Sequence, residues 1–177
     1  LSQLEALRST AQELERALTP LYVEHYVGIK PEDLLEPLSD LTEMELRTVR
    51  MIQEAASDVF IIARTFGWFY KVREALCAAR DRGARVRVLM SPVDEASKEV
   101  ARELAAMGAE IRAPKEEYPF RGTVVDGEQL VLLIWATRKG VERPLYYRPY
   151  YSRNRSVIRL FLDAFTLLWE RSEPWSE

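Results

Sequence analysis

The chain has 177 residues, of which 47% are hydrophobic and 30% are charged, and its formal net charge at pH 7 is −3. This size and apolar content suffice for one domain, and the slight acidic excess argues against a surface that binds nucleic acid by itself. No apolar run approaches the roughly 18 residues of a membrane span, and the N-terminus lacks a signal-peptide pattern. The single cysteine, Cys77, excludes an internal disulfide. We therefore expect a cytoplasmic protein without membrane association.

The first 21 residues predict a coiled-coil helix. Apolar side chains recur there at alternating spacings of three and four, at Leu4, Leu7, Ala11, Leu14, Leu18 and Leu21. This is the pattern of a two-stranded seam, and it favours pairing with a second copy of the chain as a homodimer. The stripe is short, however, so packing against the chain's own globular body is the alternative. We assign residues 1–21 to a dimerisation helix and residues 22–177 to the globular domain.

Three short signals follow this helix. Residues 21–30 are rich in valine and tyrosine and predict a short β-rich segment. Pro31 predicts the start of a short helix, since proline fits a first helical turn. A longer helix follows, for which Thr42, with a glutamate three residues later, has capping-box spacing. Ser39 and Asp40 are equally suitable caps.

The middle of the chain alternates between strand and helix patterns. Apolar, β-branched runs at 58–64, 84–91 and 109–114 predict strands, and amphipathic segments at 68–83 and 94–108 predict helices that end at glycines. Such alternation indicates parallel strands joined by right-handed crossovers. The elements together predict an α/β domain of three-layer type, in which helices flank a mixed, largely parallel sheet and a coiled-coil helix precedes it.

The rhythm changes after Pro114. Two strand-like runs, 121–127 and 128–135, meet at Asp126-Gly127, a dipeptide typical of hairpins, so the sheet is expected to become mixed. Residues 136–154 are polar, aromatic and proline-containing and predict a loop. Residues 156–172 predict a closing helix with a broad apolar face.

A resemblance to a known family rests on the order of these segments. The leucine-rich helix is followed by IQEAASDVFIIAR, ALCAARDRGARVRVLM, RGTVVDGEQLVLL and FLDAFTLLWERS. This order resembles the effector domain of the TrmB family of archaeal transcription regulators, over roughly residues 21–172. The resemblance implies a phospholipase D-like fold, a coiled coil that dimerises, and a sensor domain for a small-molecule effector, a sugar or another metabolite. It also implies that DNA is bound only through an N-terminal winged helix, which this chain lacks.

The resemblance also raises the question of phosphodiesterase activity. Phospholipase D-like enzymes use a histidine nucleophile, a lysine two residues later and an aspartate five residues beyond that. Counting back from Asp126 places Arg121 at the lysine position and Pro119 at the histidine position, and His25 is the only histidine. We therefore predict no catalytic residues. Arg121 and Asp126 become candidate effector contacts, with an ordinary ion pair or turn contact at the hairpin as the alternative.

Further candidates lie where predicted strands end, since parallel α/β sheets bind ligands at that edge. Arg64 and Trp68 follow the first core strand, with Tyr70 nearby, although these aromatic residues also suit the core or a dimer contact. Ser91 follows the second strand, where SPVDEAS is equally a helix N-cap sequence.

Residues 146–155 interleave tyrosine with arginine. Tyr147 and Arg148 are the candidate effector contacts there, because such side chains offer stacking and hydrogen bonds at a ligand mouth. The same composition suits a protein interface or single-stranded nucleic acid. No His/Cys cluster or glycine-rich phosphate loop occurs, so we expect no metal and no cofactor.

The sequence therefore predicts a catalytically inactive, effector-sensing and dimerising domain of a transcription regulator. The alternative is a protein-interaction or dimerisation module without an effector. An enzyme with an unrecognised site is a third possibility.

Overall fold

The computed structural model describes residues 2–136, 140 and 146–177. The helices are α1 (Ser2–Tyr22), α2 (Pro31–Leu34), α3 (Leu41–Glu54), α4 (Phe69–Asp81), α5 (Glu95–Ala106) and α6 (Arg155–Arg171), with a π-helical segment, Val23–Val27, directly after α1. The strands are β1 (Glu36–Pro37), β2 (Asp58–Ile62), β3 (Arg85–Leu89), β4 (Glu110–Ala113), β5 (Phe120–Val125), β6 (Gln129–Ala136), β7 (Tyr146–Ser152) and β8 (Glu173–Pro174).

All eight described strands form one mixed sheet in the order β1-β7-β6-β5-β2-β3-β4-β8. The predicted mixed α/β architecture is confirmed, but the sheet is not largely parallel. Among the described strands only β2–β3 and β3–β4 pair in parallel, and the other five neighbouring pairs are antiparallel. The difference arises because the hairpin β5–β6 is extended by β7, and because short strands close both edges.

Helices cover both faces of the sheet, as a three-layer architecture requires. Helices α3, α4 and α5 bury apolar side chains such as Ile52, Leu76 and Leu104 against one face, in a core that includes Val59. On the other face, α6 packs its Phe161, Phe165 and Trp169 over Ile62, Leu89 and Val124. Alternate residues of a strand belong to different cores, because neighbouring side chains of a strand point to opposite faces of the sheet.

The boundaries of the predicted helices have local causes. Asp40, one of the alternative caps, begins α3, since its carboxylate accepts a hydrogen bond from the Glu43 amide. Thr42 instead lies in the first turn. Asp94 caps α5 by accepting from the Ser97 amide. Gly83 follows α4 with φ of 93°, a left-handed conformation that glycine adopts without steric cost.

The prediction of a β-rich segment at residues 21–30 is wrong. The chain stays helical through Pro20, and α1 continues into the π-helical segment before Gly28 ends it with φ of 75°. Side chains with high strand propensity need a neighbouring strand and a surface to pack on. Val23–Val27 has no buried residue, whereas extending an existing helix avoids the cost of nucleation.

The loop predicted at 136–154 is also wrong in part, because Tyr146–Ser152 forms β7 between β6 and β1. Residues 137–139 and 141–145 lie outside the described residues. Pro149 is tolerated because its only neighbour on one side is the end of the short β1. The Leu38 amide donates to the Pro149 carbonyl at 2.9 Å, and the reciprocal bond is the one that proline cannot make.

None of the helices within the described part of the chain is long and apolar enough to cross a membrane.

Candidate functional site

A small cleft lies where β2 and β3 end, beside the start of β5. It is lined by three of the predicted site residues, Arg64, Ser91 and Arg121, and its volume is about 20 Å³. Backbone hydrogen bonds between the two chain segments continue past the ends of β2 and β3 and fix the positions of Arg64 and Ser91. The Ala63 amide donates to the Leu89 carbonyl at 2.8 Å, and the Ser91 amide donates to the Arg64 carbonyl at 2.6 Å. Arg64 and Ser91 are therefore fixed side by side at this edge.

Glu117 also lines the cleft. It was not predicted from the sequence as a site residue. Its carboxylate lies 3.3 Å from the Arg64 guanidinium, and both side chains are more than half exposed. Glu117 belongs to the connection between β4 and β5, where KEE reads only as a solvated charged run. No local pattern points to it, because its partner is brought near only by the folding of the sheet.

Arg121 stands between this cleft and a second cavity of about 100 Å³ on the α3 face of the sheet. Its guanidinium lies 5.4 Å from the centre of the Trp135 ring, within the range of a cation–π interaction. The second cavity is mainly apolar, and Trp68 lines it together with Leu41, Met44, Glu45, Thr48, Gly122 and Leu133.

Trp68 and Tyr70 do not face the first cleft. Trp68 packs on the buried Phe66, with 4.5 Å between ring centres, so the alternative of a core role has support. The Tyr70 hydroxyl donates to Glu103 of α5 at 3.2 Å. Desolvation and this bond to a carboxylate both raise the pKa of Tyr70. Neither aromatic residue therefore lines this cleft: Trp68 packs on the core, and Tyr70 joins α4 to α5.

Asp126 lies at the other end of β5 from Arg121. Its carboxylate accepts hydrogen bonds from the amides of Ala56, Ser57 and Asp58 at 2.8–2.9 Å and from the Ser57 hydroxyl at 3.0 Å. Asp126 is five positions after Arg121, a distance of about 16–17 Å along an extended chain at 3.3 Å per residue. The two side chains therefore do not meet at one small ligand, and Asp126 makes the turn contact that was its alternative interpretation.

Burial and hydrogen bonding act on the Asp126 carboxyl in opposite directions. Desolvation is the largest single influence and raises its pKa, but the bonds from the amides of Ala56–Asp58 and the Ser57 hydroxyl together lower it below the ordinary value. The carboxylate form is therefore the one that the folded chain stabilises.

Of the two candidates in β7, Arg148 is not among the residues that line the cleft. Arg148 pairs in register with Ile134 and is half-buried, and strand alternation places it on the opposite face of the sheet from Arg121, which pairs with Leu133. For Tyr147 only the backbone pairing with Trp135 is described; its side chain lies outside the described atoms.

The cleft offers cations and a hydroxyl but no nucleophilic histidine. Pro119 occupies the position directly before β5, and His25 lies in the exposed π-helical segment. Among the described side chains, no three of the types His, Cys, Asp and Glu converge as ligands for a metal ion. The arrangement suits recognition of a polar or anionic group by guanidinium hydrogen bonds.

The fold is that of the phospholipase D class. The chain is similar to Nuc of Salmonella typhimurium, a phospholipase D family member, with TM-score 0.64 and 16% identity over 81% of this chain and 98% of that one. It is also similar to NucT of Helicobacter pylori, with TM-score 0.61 and 13% identity over 80% and 97% of the two chains.

A family assignment follows from the sequence comparison. The family model described as the N-terminal subdomain of the effector-binding domain of transcriptional regulator TrmB matches residues 40–175, and the chain therefore belongs to the TrmB family of transcription regulators. TrmBL2, an archaeal chromatin protein whose structure shows a novel mode of DNA binding, is similar with TM-score 0.60 and 19% identity. That likeness covers 98% of this chain, which spans 64% of the length of TrmBL2. No curated protein sequence matches the chain.

Proposed function

We propose that this chain is the effector-sensing and dimerisation domain of a TrmB-family regulator, without phosphodiesterase activity, and that it acts in the cytoplasm. DNA would be bound by a winged helix N-terminal to it. The observation that carries the proposal is the cleft at the ends of β2 and β3, where Arg64, Ser91 and Arg121 converge while Pro119 occupies the place of a nucleophile. A cleft of this kind retains groups that bind an effector and lacks the group that would cleave it.

The exposed surface of α1 supports dimerisation. Its leucines are 55–69% exposed, and no described residue of the helix is buried. Packing of this stripe on the chain's own body, the alternative for the sequence pattern, is therefore not supported within one copy. A second copy of α1 covers such a seam in a coiled coil.

Regulation requires that the effector bind two states of the dimer with different affinity. The cleft lies at the carboxyl ends of the central strands β2 and β3, and in this proposal α1 would connect the domain to the winged helix. An effector that favours one arrangement of the paired domains would shift the spacing of the two DNA-binding units.

The test is a thermal-shift screen of the chain against neutral sugars, phosphorylated metabolites, nucleotides and amino acids. A ligand that binds the folded state raises the melting temperature by mass action. We expect a saturable shift from at least one class, and its loss in Arg121→Ala. A shift that is unchanged in Arg121→Ala would place the ligand outside this cleft.

The second candidate function is a protein-interaction or dimerisation module without an effector. One observation favours it: the cleft, at about 20 Å³, is much smaller than sites that hold small molecules. A chain that is dimeric by mass but gives no shift with any class of compound would support this function over the first.

A further inference from the structure

We propose that Glu117 is an internal substitute for the effector, and that the effector carries a phosphate or carboxylate group that replaces the Glu117 carboxylate beside Arg64. This inference rests on the proposed function, because it names the chemistry of the ligand for the same cleft. Glu117 and Arg64 belong to parts of the fold whose backbones differ in how firmly they are held.

Arg64 and Arg121 are held by the hydrogen bonding of the sheet. The carbonyl of Arg64 accepts the Ser91 amide at 2.6 Å, which continues the pairing of β2 with β3. Arg121 lies within β5, in register with Leu133 of β6. Movement of either backbone would break pairing in the centre of the sheet, so both cations keep their positions when the contents of the cleft change.

Glu117 stands on the connection between β4 and β5, which Pro114 and Pro119 border. Its side chain is 53% exposed, and that of Arg64 is 58% exposed. A second ion pair holds the same connection, between Lys115 and Glu173 at 3.4 Å, and its side chains are more exposed than those of Glu117 and Arg64. Ion pairs at such exposure contribute little to stability, because water screens them. Displacing Glu117 from Arg64 therefore costs little.

The same connection separates the cleft from a larger outer groove. The cleft has a volume of about 20 Å³ and the groove about 420 Å³, and Pro114, Glu117, Tyr118 and Leu168 line both. A cavity of about 20 Å³ admits a water molecule or two, whereas sites for small molecules are roughly 300–1,000 Å³. Outward movement of Glu117 would join the two spaces into a site of suitable size.

The charges of the joined site favour an anion over a neutral ligand. Arg64 and Arg121 line the inner part, and Lys115 and Arg171 line the outer part together with Glu116 and Glu117, so four cations face two carboxylates. A neutral sugar that displaced Glu117 would leave Arg64 without the carboxylate it now contacts. A phosphate or carboxylate restores that interaction, and a guanidinium binds both groups through paired hydrogen bonds.

The test compares two adjacent glutamates by titration calorimetry with inorganic phosphate, and with acetate as a separate carboxylate arm. Removing the internal competitor by Glu117→Gln should tighten anion binding about two- to fivefold, the size expected for loss of an exposed ion pair. Glu116→Gln is the control, since it changes the net charge equally in the same connection at a residue that lines only the outer groove and does not contact Arg64. The gain should vanish in the double variant Arg64→Ala/Glu117→Gln, and it should shrink at high salt.

Equal affinity of Glu117→Gln and Glu116→Gln for both anions would overturn the proposed substitution, provided that the two variants melt at the same temperature. A neutral metabolite that gives an Arg121-dependent thermal shift while Glu117→Gln gains nothing would overturn the anion alone and leave the sensing function standing. Failure of every compound and both anions would overturn the two together. A gain in only one arm identifies which anionic group the cleft prefers.

Discussion

At the scale of single residues, Asp126 illustrates how a position of an enzyme motif can serve the fold instead. It has φ of 54°, in the left-handed region that Asp and Asn tolerate better than other side chains. From this position its carboxylate accepts hydrogen bonds from the three successive amides of Ala56, Ser57 and Asp58. These amides lie directly before β2 and at its first residue, so one side chain joins the β5–β6 turn to the start of the central strand.

Asp126→Asn should therefore destabilise the folded chain. Asparagine keeps the left-handed backbone and one acceptor oxygen, but it loses the charge and turns an amide group toward backbone donors. Hydrogen bonds to charged groups contribute about 1.5–3 kcal/mol, and partial exposure reduces this, so we expect a loss of about 1–2 kcal/mol in unfolding free energy. Urea unfolding measures it, with Asp163→Asn on the exposed surface of α6 as the control. Equal stability of the two variants would contradict the role of Asp126.

The pKa of Asp126 gives this loss a pH dependence. Because the folded state lowers the pKa below its ordinary value of 3.8, the charged form adds stability above that value and the contribution is lost as pH falls through the folded pKa. The unfolding free energy of the wild type should thus exceed that of Asp126→Asn most at pH 5 and above, and the two should converge below pH 3.8. A difference that is constant down to pH 3 would refute this sign.

At the scale of elements, the packing of α6 on the sheet depends on Gly122 in β5. A Cβ atom there would lie 2.7 Å from Cε2 of Phe161 and 2.8 Å from the carbonyl oxygen of Val131. Neither the buried ring nor the strand backbone can move without disturbing the core on this face. The glycine is thus what lets the helix approach the strand closely.

We expect Gly122→Ala to cost about 1–3 kcal/mol of unfolding free energy, as overpacking in a well-filled core does. Gly67→Ala is the matched control, because a Cβ atom at Gly67 has no atom within 4 Å and the backbone there is outside the left-handed region. It should change stability by less than about 0.5 kcal/mol. Chemical denaturation measures the unfolding free energy of both variants. Equal losses in the two variants would mean that α6 lies farther from β5 than the structure shows.

Elements were predictable where a local pattern coincides with burial. The strands β2, β3 and β4 carry apolar runs, the helices between them are amphipathic and end near glycines, and the structure buries the apolar side chains. The β7 strand was missed because Pro149 and the surrounding polar residues are typical of loops, and its pairing depends on β6 and β1. The π-helical segment Val23–Val27 was missed because its composition favours strands while its position after α1 favours helix.

The site was predictable only in part. Arg64 and Ser91 follow from the rule that parallel sheets bind ligands at the ends of their strands, and Arg121 follows from its place in the motif counted back from Asp126. Glu117 and the partners of Asp126 are set by contacts between distant segments, which no local pattern reports; Ala56 and Asp126 are 70 residues apart.

At the scale of the whole molecule, the globular domain is covered on both sheet faces while α1 carries an uncovered apolar stripe. The double variant Leu7→Glu/Leu14→Glu places charges at two seam positions whose side chains are 67% and 55% exposed in one copy. Burying a leucine contributes about 1.5–3 kcal/mol, so dimerisation should weaken at least about tenfold. Because α1 has no buried residue, the domain itself should unfold as before.

Sedimentation equilibrium of this variant should give the monomer mass at concentrations where the wild type is dimeric. Ser9→Glu/Gln12→Glu is the control: it adds the same charge to α1 at heptad positions that face away from the seam, and it should remain dimeric. If both double variants stay dimeric, the two copies meet through the globular domain, and the leucine stripe is not the dimer interface. If only the seam variant dissociates, the leucine stripe is the dimer interface, and the proposed effector would act through the geometry of that pair.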